Sequence, residues 1–456
     1  MKLSRKQVRR KTQPLPELRF EQQTLTSYSG LVLFQALLDR LQLRERLRPC
    51  FARSSAAYDR PRLFVGLIVH LLLGFRELRD ARYYRDDPMV LRLLGLGRLP
   101  DVGTVCRSLA GASARSVERL RQLCRHLVLE RLVALKPRRI TLDFDGSVLS
   151  TKRWAEGTAV GFNRKKKGQR SYYPLFCTVA QTGQVFDVLH RPGNVHDSRG
   201  AQQFILEAIE AVRTALPGVA IEVRMDSAFF SDAILGMLDQ RGVEVTVSVP
   251  FERFVELKQL VQRRRRWRRI NGELAYFALR WKPKSWPRRY RLVVLRTRRR
   301  ERHKGPVQLD LFVPTVWGCE FTVVLTNKTT APGHVVRFHH GRGAQEGVFA
   351  ELKSQAQLDY IPTRTLVGNQ LYLLAAMLAY NLSRELQMIV HPPQRTTTAS
   401  RTPLWRFAQL KTLRGTLLQR AGRFTRPHGR LILTISANED VQGELLHYLG
   451  RLQQAA

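Results

Sequence analysis

The chain has 456 residues, 44% of them hydrophobic, which is enough to bury sizeable cores and too long for a single ordinary one. Its 77 Lys and Arg face 37 Asp and Glu, a net charge of +40, and a surplus of that size calls for a polyanionic partner, with nucleic acid foremost. The basic residues run through the whole chain rather than along one amphipathic stretch, which disfavours an anionic membrane surface as that partner.

Residues 1–25 are polar and basic and read as a flexible arm. No apolar run follows MKLSRKQVRRK, so no signal peptide is expected. The longest apolar stretch, Leu63 to Phe75, is too short to cross a bilayer. Five scattered cysteines (Cys50, Cys106, Cys124, Cys177, Cys319) contain no CxxC pair. They read as core residues of a soluble protein in a reducing, cytoplasmic compartment, with neither a zinc site nor a disulfide frame.

Residues 26–136 carry helical periodicity and read as an all-α DNA-binding region. GLVLFQALLDRLQL and RLFVGLIVHLLLGF place apolar residues at i, i+3, i+4 and i+7. DDPMVLRLLGLGRLPDVGTVCRSLA then reads as a helix, a turn and a second helix capped by Asp101 or Thr104. Helix–turn–helix suits a groove-binding module, and a plain helical bundle fits the pattern equally well.

The texture changes after residue 136. Residues 137–250 read as β-β-β-α-β-α-β, the first part of an α/β core. The strands are RITLDFDGSVL, YYPLFCTVA, VFDVLHR, VAIEVRMDSAF and VEVTVSVP; the first helix is opened by Asp197 or Ser198. Residues 251–332 are a basic, β-rich insertion containing RRRRWRR. Residues 333–390 return to helix as the second part of the core, and 391–456 form a basic C-terminal region with helices.

Carboxylates are scarce in so basic a chain, so their placement matters. Asp143 and Asp145, two apart in one strand, point to the same face. Asp226 ends a second apolar strand, and ligands of open α/β sheets bind at strand ends. Either position taken alone is more often a helix cap. In HHGRGAQEGVFAELK, Arg342, Glu346 and Lys353 fall on one helical stripe, whereas Glu351 falls on another face. A solvated salt-bridge ladder would show the same spacing.

These segments resemble the bacterial insertion-sequence DDE transposases that carry a Tyr-x2-Arg-x3-Glu-x6-Lys signature. Arg342, Glu346 and Lys353 fit it, with His339 in the tyrosine position, and LDFDGS and RMDSAF resemble the family's two earlier motifs. The resemblance implies an RNase H-like core and metal-dependent cut-and-paste transposition. It implies Asp145, Asp226 and Glu346 as catalytic ligands of two Mg²⁺ ions, with Mn²⁺ able to substitute and Asp143 the runner-up first ligand. Arg342, Lys353 and His339 would contact DNA beside the scissile bond. Asn194, in a Gly193–Asn194 turn near Asp197, and Lys165 and Lys166 of NRKKK are further DNA-contact candidates. So are Arg264, Arg265 and Trp286 of the insertion, the tryptophan by stacking on an unpaired base. The implied partners are terminal inverted repeats, target DNA and a second copy of the chain, and the implied location is the bacterial nucleoid. A structure-specific nuclease with the same core, or a non-catalytic DNA-binding relative, is the alternative.

Overall fold

The computed structural model describes residues 15–21, 23–53, 56–161, 163, 166–195, 199–298, 315–316, 319–395 and 403–454. Much of the arm read over 1–25 lies outside the described residues, as do Lys165, Asp197 and Ser198. The arm's end is strand β1, Leu25–Thr26.

The helical segment comprises α1 (Leu31–Arg40), α2 (Leu43–Leu47), α3 (Arg60–Leu72), α4 (Pro88–Leu94), α5 (Val102–Ala110) and α6 (Ala114–Leu135). Asp87 caps α4 by accepting from Met89 N and Val90 N, and it also accepts from Thr26 Oγ1 and Ser27 N, which ties the entry of the chain to this helix. Asp101 caps α5, taking the Thr104 N–H at 2.7 Å. The helix–turn–helix pair therefore exists as two capped helices, and α5 packs on the long helix described below.

The core sheet starts at β2 (Arg139–Gly146). A small sheet of β3 (Leu149–Ser150), β4 (Ala159–Val160) and β5 (Arg170–Tyr172) interrupts the chain before β6 (Leu175–Val179) and β7 (Val185–Leu189). Next come α7 (Ala201–Ala215), β8 (Ala220–Met225), α8 (Asp232–Gln240) and β9 (Glu244–Ser248), in the alternation expected from sequence. Helix α7 starts from Gly200, whose φ of 75° is left-handed. β2 pairs antiparallel with β6, and β6 with β7, while β2, β8 and β9 run parallel.

The basic segment 251–332 contains α9 (Val255–Gln262), β10 (Arg268–Arg269), β11 (Leu274–Trp281), β12 (Tyr290–Arg298), β13 (Thr315–Val316) and β14 (Cys319–Thr326). Its strands continue the core sheet. β14 pairs antiparallel with β9, giving the order β10-β11-β12-β14-β9-β8-β2-β6-β7.

Strict alternation makes the central strands two-faced. Ile140, Leu142 and Phe144 of β2, Ile221, Val223 and Met225 of β8, and Val245 and Val247 of β9 join α7, α8 and the end of α6 in one core. The opposite face is polar: Thr141, Asp143 and Asp145; Glu222 and Arg224; Thr246 and Ser248. Helices α10 (Pro332–His340) and α11 (Gly343–Gln355) lie over that polar face.

Helix α12 (Leu366–Val390) is buried almost all round. Its Asn381 amide bonds both the N–H (2.9 Å) and the C=O (2.7 Å) of Val185 on the edge strand β7. After it come α13 (Leu410–Leu413), β15 (Gly422–Thr425), β16 (Ile432–Ile435) and α14 (Glu439–Gln454). β15 pairs with β1, and the N-terminal helices, α11, α12 and this C-terminal part share one hydrophobic core. The sequence boundaries at 136 and 391 thus fall within shared packing rather than between separate cores.

Candidate active site

The register of β2 against β8 runs in parallel as far as Phe144 opposite Met225. Asp145 is the next residue of β2 and Asp226 the first residue after β8, so the two acids stand at adjacent strand ends. Asp145 is partly exposed, and its Oδ1 accepts from Gly146 N. Asp226 leads into a single turn of helix and accepts from Ala228 N at 3.0 Å. Both acids thus also serve local backbone, as an acid at a strand end commonly does.

Asp143 is placed differently. It is buried, and its two oxygens accept from Arg224 Nε and Nη2 at 2.5 and 2.7 Å. Burial raises its pKa while the paired guanidinium pulls the other way. With both oxygens committed, Asp143 is a structural partner of Arg224 rather than a second donor at the strand end.

The third acid comes from α11. Arg342 takes the N-cap position with helical backbone, so Arg342, Glu346 and Lys353 share one stripe. Glu346 is exposed. Three contacts fix the helix: Arg342 Nη1 to Asp145 Oδ2 (3.0 Å), Gln345 Nε2 to Asp143 O (3.0 Å) and Lys353 Nζ to Val148 O (3.1 Å). Glu351, on the other face, is buried against Arg384 and accepts from Leu410 N at 2.9 Å. Among the described residues, no three His, Cys, Asp or Glu side chains are gathered closely enough to hold a metal ion. The Arg342 guanidinium is an ion-pair partner of Asp145.

The other expected contacts scatter. His339 is buried beneath the site, its Nε2 on Ser248 Oγ (2.8 Å) and its Nδ1 on Thr246 Oγ1 (3.0 Å). Burial first, and then Arg342, His340 and Arg224, lower its pKa to about 3. Both ring nitrogens are engaged by hydroxyls of β9. Asn194 and Lys166 are exposed on loops, as are Arg264 and Arg265 after α9. The Arg264 guanidinium lies 5.0 Å over the Phe277 ring. Trp286 stacks on Phe230 (centroids 4.5 Å apart) and meets Tyr290 edge-on, so its ring is already packed against protein.

Sequence reasoning missed Arg224 and Gln345. The signal was present in EVRMD, where charges recur every second residue on the face that carries Asp226.

A family model described as "Transposase DDE domain group 1" matches residues 9–456. The chain belongs to the DDE transposase family. The transposase is therefore a DNA endonuclease and strand transferase, which binds DNA and uses divalent metal. No curated protein matches it. Among solved structures it is similar to the piggyBac transposase synaptic complex with hairpin DNA, with a TM-score of 0.39 and 10% identity over 87% of this chain and 83% of that one. It is also similar to the Mos1 transposase paired-end complex with left transposon end, with a TM-score of 0.18 and 14% identity over 42% of this chain and 60% of that one. A Mos1 mariner paired end complex with Mn gives a TM-score of 0.17 and 13% identity over the same shares, 42% and 60%. At these scores the superpositions add no argument to the family match. No helix among the described residues of the transposase is long and apolar enough to cross a membrane.

Proposed function

We propose that this transposase cuts and pastes a bacterial insertion sequence of the Tyr-Arg-Glu-Lys class, with Asp145, Asp226 and Glu346 as its metal-holding acids. The observation that carries the reading is the pairing of Asp145 and Asp226 at adjacent parallel strand ends, under a helix that presents Arg342, Glu346 and Lys353 on one stripe. The strand order β7-β6-β2-β8-β9, an antiparallel meander joined to parallel strands through crossover helices, supports an RNase H-like core.

The donor chemistry suits Mg²⁺, since all three acids offer carboxylate oxygens only, although the three side chains are not gathered in this structure. When bound, two such ions would activate the attacking water or 3′-hydroxyl and stabilise the leaving oxygen. The chain's own residues do the rest. Arg342 balances the charge of Asp145, and on arrival of DNA its guanidinium can exchange that carboxylate for a phosphate, whose oxygens suit its planar fork. Lys353 supplies a second cation from the same stripe. Exposed Lys166, Asn194, Arg264 and Arg265 extend the positive surface available to the DNA backbone. The substrates on this reading are terminal inverted repeats and target DNA, handled by a homodimer.

The test is cleavage of a duplex carrying the element's own end, with Mg²⁺, by wild type and Glu346→Gln. The variant is expected to bind the duplex and fail to cut it. Cutting at the wild-type rate would remove Glu346 from the site.

A further inference from the structure

One buried cation ties together the two strands that carry Asp145 and Asp226 and the helix that leads into the one bearing Glu346. Arg224 lies two residues before Asp226 on β8, and its side chain is 1% exposed. A guanidinium removed from water is costly unless partners match its N–H groups. Its fork grips both oxygens of Asp143, on the strand that ends in Asp145. Its Nη1 donates to the Phe338 carbonyl at 3.1 Å, in the last turn of α10, just ahead of the helix that bears Glu346. A single planar group therefore spans the strand of the first acid, the strand of the second and the approach to the third.

Gly341 supplies an independent observation. Its φ of −59° is ordinary helix, so no backbone demand calls for glycine there. A Cβ at this position would stand 2.1 Å from Arg224 Nη1. The turn between α10 and α11 can close onto the guanidinium only because no side chain intervenes. Gln345, one residue before Glu346, adds a bond to the Asp143 carbonyl on the same side. The ring of His339 is held on β9 nearby by Thr246 and Ser248, so α10 meets the polar face at two fixed points.

We propose that Arg224 is a positioning residue of the transposase, which sets α11, and with it Glu346, against Asp145 and Asp226. The proposal rests on the reading that these three acids hold the metal ions. Arg224 acts through Asp143 and the Phe338 carbonyl. Lysine would keep the charge and lose the fork, so it could not hold both partners in one plane.

The experiment compares wild type, Arg224→Lys, Gly341→Ala, Asp145→Asn and Glu346→Gln. Mn²⁺ binding is followed by electron paramagnetic resonance, folding by thermal unfolding, end-DNA binding by anisotropy, and end cleavage as a function of Mn²⁺ concentration. Arg224→Lys is expected to fold and bind DNA as wild type does. It should bind Mn²⁺ about 10- to 100-fold more weakly, the range seen when groups that orient metal ligands are changed. Half-maximal cleavage should need correspondingly more Mn²⁺. Gly341→Ala changes no charge and should move both readouts the same way. Wild-type Mn²⁺ affinity and metal dependence in these two variants would overturn the proposal. If Arg224→Lys does not fold, Gly341→Ala decides by the same two outcomes. If Asp145→Asn and Glu346→Gln leave Mn²⁺ binding unchanged, the metal reading itself is wrong, and the role given to Arg224 falls with it.

Discussion

Glu346 and Glu351 sit on one helix in opposite environments. Glu346 is exposed beside a stripe of cations, whereas Glu351 is 5% exposed, ion-paired with Arg384 and bonded to Leu410 N. A buried carboxylate whose partner is also buried is a packing element, and removing one member strands the other's charge. Glu351→Ala should therefore cost about 3–5 kcal/mol of stability, as typical for a broken buried pair, with Mn²⁺ binding by the folded fraction unchanged. Urea denaturation and metal titration check this; weakened metal binding at wild-type stability would make Glu351 a ligand. Only the pattern of contacts separates the two acids, since each is a glutamate in a helix of the same charge and period. His339 shows the same limit. In sequence it occupies the signature's aromatic position, and in space both its nitrogens are spent on β9.

At the scale of elements, the sheet's edges and faces explain where polar residues are tolerated. Asp187 on β7 has a fully buried side chain, yet Arg121 and Arg125 of α6 reach it from one helical face, with Arg121 Nε at 2.6 Å. Asn381 of α12 satisfies the neighbouring backbone of Val185. Helices from both the N-terminal and C-terminal parts are thus keyed to one edge strand by polar contacts. Asp187→Ala should destabilise by about 3–5 kcal/mol, because it leaves two guanidinium groups without their buried partner. Hydrogen exchange should show α6 and β7 losing protection together; loss confined to β7 would mean that the pair does not hold the helix. The strands themselves were legible, because alternation in TLDFD and EVRMD and the TGQ turn are local signals. That the strands of the basic segment extend the same sheet was not, since pairing β14 to β9 joins residues far apart in sequence.

Over the whole molecule, three histidines at separate points of the chain, His70 and His339 buried and His190 half-buried, couple folding to pH. Burial lowers His70 and His190 to about 4 and His339 to about 3. Each folded-state pKa lies below the unfolded value of roughly 6.5, so between those limits the unfolded chain binds protons that the folded chain refuses. The stability contributed by the neutral rings is complete above about pH 6.5 and is lost as pH falls toward 4, by up to about 1.4 kcal/mol per pH unit for each histidine. Urea midpoints at pH 7 and pH 5 should show the loss, and His339→Gln should reduce the slope. A protein equally stable at both values would contradict it.

Composition and motif order, by themselves, pointed to a polyanionic partner and to the DDE transposase family that the family match then showed. Those properties reside in residue types and short spacings, which do not depend on how the chain packs. The tertiary structure decided the division of labour. It committed Asp143 to Arg224, Glu351 to Arg384 and Trp286 to Phe230, and it set Arg342 against Asp145 while leaving Glu346 exposed on its helix. The reason is physical: a charged or aromatic side chain becomes structural when the fold supplies a buried partner, and those partners come from strands and helices distant in sequence.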